Sequence, residues 1–97
     1  MSDSATFLSW KFNSLSYEDK LSIGLVIDEL AKARAKHPDF PEDIVHQAAI
    51  VGEESGELVR ASINAYYENG SLTDVQAEAV QTAATALRVI SANIQKQ

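Results

Sequence analysis

The sequence contains no cysteine. That absence excludes disulfides, thiolate catalysis and cysteine-based zinc sites together. Proline and glycine are scarce, with two prolines (Pro38, Pro41) and four glycines (Gly24, Gly52, Gly56, Gly70). So few chain-turning residues do not suit a sheet-rich fold. No segment alternates apolar and polar residues in the way a half-buried strand requires, and there is no internal repeat or low-complexity stretch. Long apolar runs are missing too: the longest, such as Ala48 to Val51, are four residues. A membrane span needs about 20 and a signal-peptide core about 7–15. The expectation is a cytoplasmic protein with no membrane partner. Positive charge is also in short supply, with 8 basic against 14 acidic residues and a net charge of −6. This argues against a groove wrapped around a nucleic-acid polymer. A single nucleotide is compatible with it, because a bound metal can supply the positive charge a phosphate needs.

What is present reads as one all-α domain over residues 1–97, a small antiparallel helical bundle. The hydrophobic content of 45% and charged content of 23% are ordinary for a globular chain. Residues 1–15 read as partly loose or as a short helix, and the core of the bundle as about 16–94. Within the first stretch, Met1 to Asp3 is expected to be loose. Ala5 to Phe12 reads as the short helix, with Phe7, Leu8 and Trp10 as apolar anchors. Ser16 and Asp19 have capping-box spacing and open the first long helix, whose apolar positions run from Leu21 to Leu30 and whose end is marked by Pro38. Pro41, followed by Glu42 and Asp43, suits the first turn of a second long helix. That helix runs to about Glu68, where Gly70 reads as its C-terminal cap. Ser71 with Asp74 opens a third, continuing to about Ile94.

The second long helix is apolar around much of its circumference, from Ile44 to Ile63. Such a helix needs cover on more than one side. Two long neighbours and a short N-terminal helix do not provide it, so completion by oligomerisation is expected.

Glu53, Glu54 and Glu57 interrupt this apolar surface. At helical spacing they project from adjacent parts of one face, and three carboxylates so close repel unless a cation compensates. Asp74, Glu78, Gln81 and Thr85 form a polar stripe on the following helix. An antiparallel turn at Gly70 places Glu57 and Glu78 at depths differing by only about 7 Å along the axis. Carboxylates converging from two helices favour magnesium or manganese; without nearby imidazoles zinc is disfavoured. The plainer readings are that Asp74 caps with Ser71, that Arg60 pairs within its own helix, and that His46 is a hydrogen-bonded structural residue.

The segment Gly52-Glu53-Glu54-Ser55-Gly56-Glu57-Leu58 resembles the Glu-Glu-x-x-Glu signature of the all-α nucleoside triphosphate pyrophosphohydrolases, the MazG-like superfamily. Glu78-Ala79-Val80-Gln81 is similar to that family's second motif, Glu-x-x-Asp. The resemblance covers roughly residues 44–90. It departs at Gln81, where the commonest pattern has aspartate and only a neutral carbonyl oxygen is on offer. The resemblance implies a homodimer or homotetramer that hydrolyses a (deoxy)nucleoside triphosphate to the monophosphate and pyrophosphate. Mg2+ (or Mn2+) would be held by Glu54, Glu57 and Glu78, with Gln81 at the fourth position, and Glu53 would orient the attacking water. Arg34, Lys36, Arg60 and Arg88 are the candidates for holding the phosphates, and Trp10, Phe40 or Tyr66 for stacking on the base. Two other readings of the same residues are a non-catalytic nucleotide or metal binder, with Gln81 marking lost chemistry, and a helical interaction protein with solvated acids.

Overall fold

Hydroxyl and carboxylate caps decide where the helices begin. The computed structural model describes residues 2–94 and 96, and among these it contains four helices and no strand. The first, α1, spans Ser2–Asn13. The helix α2 spans Tyr17–Lys36, opened by the Asp19 N–H donating to Ser16 Oγ at 3.1 Å. The helix α3 spans Ile44–Tyr67 and α4 spans Leu72–Asn93. Ser71 Oγ accepts from the Thr73 and Asp74 N–H groups at 2.9 and 3.3 Å, so the predicted cap of α4 holds.

Three boundaries differ from the sequence expectation. The helix α1 already includes Ser2 and Asp3, while Met1 lies outside the described residues. Pro41 stands before α3 rather than in its first turn, because Asp43 captures the Val45 and His46 N–H groups at 2.7 and 3.1 Å and becomes the cap. At the other end of α3 the left-handed residue is Asn69 (φ 61°), not Gly70. Gly70 is needed there for a different reason. Its N–H donates to the Asn64 carbonyl at 2.8 Å, and a Cβ on it would lie 2.8 Å from the Asn64 carbonyl carbon. Only glycine lets the chain pass this close before turning into α4.

The helix α4 is central, and both α3 and α2 pack against it. Its face toward them carries Ala84, the one fully buried apolar side chain among the described residues. No helix is long and apolar enough to cross a membrane. The short helix α1 does not pack on this trio. Phe7, Leu8 and Trp10, expected as anchors, are more than half exposed. No other helix packs substantially against α1 to cover them. Tyr66 is 80% exposed and likewise fills no core. The molecule is elongated, 50 × 36 × 22 Å, with a radius of gyration of 15.5 Å. A compact chain of this length would have about 12.5 Å.

Two polar side chains are as buried as anything in the structure. Gln47 is wholly buried; its Nε2 donates to the Pro41 carbonyl at 2.6 Å, and its Oε1 accepts from Asn93 Nδ2 at 2.8 Å. Arg88, 7% exposed, donates through Nη2 to the His37 carbonyl at 2.8 Å and lies over the Phe40 ring, 4.6 Å from its centre. Together they fasten the α2–α3 loop to the C-terminal half of α4.

Candidate functional site

The antiparallel run of α3 into α4 brings Glu54 and Glu57 opposite Glu78. One carboxylate oxygen from each lies within 4.8 Å of the others. Glu57 is exposed, while Glu54 and Glu78 are half-buried. Burial, and after it the negative charges of Glu57, Glu78, Glu53 and Glu29, hold the Glu54 carboxyl above its ordinary value. Burial also raises Glu78, followed by the charge of Glu57, a hydrogen bond with Glu57 and the charge of Asp74. Glu54 Oε2 and Glu78 Oε2 are buried and have no hydrogen-bond partner.

This donor set suits a small divalent cation. Around magnesium or manganese, neighbouring ligand oxygens stand about 3.0 Å apart and opposite ones about 4.2 Å, so the three carboxylates must draw inward to coordinate. The orphaned oxygens are the sharper indication, since a buried acceptor with no donor is costly unless a cation takes it.

Beside the carboxylates runs a groove of about 530 Å³ between α2, α3 and α4. Glu54 and Gln81 are on its wall, Ile50 and Ala84 add apolar lining, and Phe40 with Arg88 forms one end. Lys32 and Lys36 of α2 contribute two further cations. A second, smaller hollow of about 290 Å³ opens from the other side of the cluster, lined by Glu57, Arg60, Asp74 and Glu78 among others.

The sequence-predicted residues therefore divide. Glu54, Glu57 and Glu78 meet. Glu53 is exposed beside them, close enough for its charge to act on Glu54, but outside the trio. Gln81 shares the groove wall with Glu54. Of the four basic candidates, Lys36 and Arg88 line the groove and Arg60 the smaller hollow, whereas Arg34 lines neither. Of the three aromatic candidates only Phe40 borders the groove. Asp74 caps as expected and also borders the smaller hollow. His46 is exposed, and only its backbone N–H is held, by Asp43.

Glu29 and Lys32 line the groove without having been singled out in the sequence. Their signal was available: Glu29, Lys32, Ala33 and Lys36 recur at helical spacing along one stripe of α2. Gln47 gave no such signal, because a glutamine among alanines and isoleucines reads as a break in an apolar face. No protein-family model matches the chain, and neither a curated protein nor a solved structure is similar to it.

Proposed function

We propose that this protein is a magnesium-dependent hydrolase that converts a (deoxy)nucleoside triphosphate to the nucleoside monophosphate and pyrophosphate, working as a homodimer or homotetramer. The observation that carries the reading is the trio of carboxylates with two orphaned buried oxygens at the edge of a groove whose lining pairs Lys32, Lys36 and Arg88 with Glu29 and Asp39. Glu54, Glu57 and Glu78 are the ligands for the metal. Gln81 adds at most a carbonyl oxygen. When bound, Mg2+ (or Mn2+) neutralises phosphate charge and lowers the pKa of coordinated water.

The chain's own residues account for the rest of the chemistry. Lys32 and Lys36 on α2 are the cations best placed to meet a triphosphate, while Glu29 and Asp39 on the same lining require the metal to supply the rest of the positive charge. Phe40, backed by the Arg88 guanidinium, offers a flat apolar surface to a base. Glu53, exposed at the rim, accepts a hydrogen bond from the attacking water and takes its proton. Oxygen adds at the α-phosphorus, the bond from that phosphorus to the α,β-bridging oxygen breaks, and pyrophosphate departs.

The neutral Gln81 favours a second reading, a nucleotide or metal binder on the same fold that turns nothing over. A screen of the common triphosphates for pyrophosphate release, with magnesium or manganese, separates the two. The wild type should release pyrophosphate, Glu78→Ala should reduce release to background, and Gln81→Asp should keep or raise metal affinity, because an added anionic ligand strengthens a site. If neither the wild type nor Gln81→Asp cleaves any triphosphate, the hydrolase reading is wrong. Metal binding with no release leaves the binder.

A further inference from the structure

The helix α3 has two apolar faces, and only one of them is used. The residues of partial or full burial, among them Gln47, Ile50, Glu54, Leu58 and Ala61, face α4. On the opposite side a second stripe runs from Val45 through Ala49, Gly52, Gly56, Val59 and Ile63 to Tyr66, every member exposed. The intervals are alternately four and three residues, the spacing of a coiled-coil seam. A Cβ added at Gly52 or Gly56 would meet nothing within 4 Å, so neither glycine is required by the folded chain itself. Each nevertheless sits in a helix interior, where glycine is less favourable than alanine.

The seam is nearly symmetric about Gly56. Turned end for end against itself, it sets Gly56 on Gly56, Val59 against Gly52, Ile63 against Ala49 and Tyr66 against Val45. Each larger side chain meets a smaller one, and the two glycines let the backbones approach at the centre. We infer that a second copy of this chain docks here, its α3 antiparallel to the first across a two-fold axis at Gly56. A two-fold interface must be self-complementary in this way, and an unrelated partner would impose no such symmetry on the sequence.

The exposed area agrees. The chain presents 7494 Å² to solvent, whereas a folded monomer of 10.6 kDa presents about 5,500 Å². The excess of about 2,000 Å² is shared with the unpacked α1, and less than half of it supplies the about 800 Å² per partner of a standard interface. The homo-oligomer is part of the proposed function, but the face named here does not depend on any catalysis by the carboxylates.

Sedimentation and crosslinking test it together. The wild type should sediment as a dimer at micromolar concentration, and Gly56→Leu should weaken that dimer by about tenfold or more, since side chains then collide at the axis. The absence of native cysteine permits a second measurement that does not rely on a weakened variant. Gly56→Cys should form a disulfide-linked dimer on mild oxidation far faster than Gln76→Cys, an exposed position on α4. A monomeric wild type overturns the inference. So does a dimer whose Gly56→Cys variant crosslinks no faster than Gln76→Cys, whatever the outcome of the pyrophosphate assay.

Discussion

At Glu78 burial, negative charge and a missing donor act on one side chain. Its carboxyl is raised first by burial and then by Glu57 and Asp74, and its Oε2 has no partner. Between the ordinary carboxylate value of 4.5 and the raised one, the folded protein holds more protons than the unfolded chain. The metal-free protein therefore loses stability as pH rises through that window, and the loss remains in full above it. Glu54 acts in the same direction, with burial as its largest cause. Glu78→Gln removes one of the repelling charges. Melting curves without metal should show the variant more stable than the wild type at neutral pH and less sensitive to pH. With magnesium the order should reverse, because only the wild type keeps the full ligand set and a ligand that binds the folded state stabilises it by mass action. A variant that responds to magnesium as the wild type does would remove Glu78 from the site.

Among the elements, the connection between α3 and α4 carries the tightest requirement. Gly70→Ala forces a Cβ to 2.8 Å from the Asn64 carbonyl carbon and should cost about 1–3 kcal/mol in a denaturant titration. Gly24→Ala is the converse. It lies mid-helix in α2 with nothing within 4 Å of a new Cβ, and should stabilise by about 0.5–1 kcal/mol. Equal effects of the two would show that glycine acts through helix propensity alone. The start of α2 and of α4 was legible in the sequence because Ser16 and Ser71 act within their own first turns. The start of α3 was misread because two valid local signals, Pro41 and Asp43, compete there, and the one that satisfies two N–H groups prevails. The meeting of Glu57 with Glu78 followed from helix rise and a tight turn. The failure of α1 to pack, and the burial of Gln47, depend on how elements are placed in space, which periodicity does not encode. Lys36 and Arg34, two residues apart, point to different sides of α2; the stripe of Glu29, Lys32, Ala33 and Lys36 separates them in the sequence, and only Lys36 reaches the groove.

On the scale of the whole molecule, the single chain buries little apolar surface of its own, with Ala84 alone fully enclosed among the described apolar side chains. If the second copy supplies the missing cover, unfolding and dissociation become one event. The melting temperature should then rise with protein concentration, as it does for obligate dimers. Calorimetry over a hundredfold dilution series, with no change in melting temperature, would mean that each chain stands alone. The groove is built differently from the rest of this sparsely packed molecule. The segment bearing Phe40 is tied at both ends, by Arg88 at His37 and by Gln47 at Pro41. Its conformational entropy is surrendered during folding, not when a ligand arrives. One wall of the groove is thus a finished template, and what enters must fit the distance from Phe40 to Glu54 as it stands. For a ligand of the proposed kind, selectivity would then be a matter of length and shape, set by a glutamine and an arginine that stand outside the carboxylate trio.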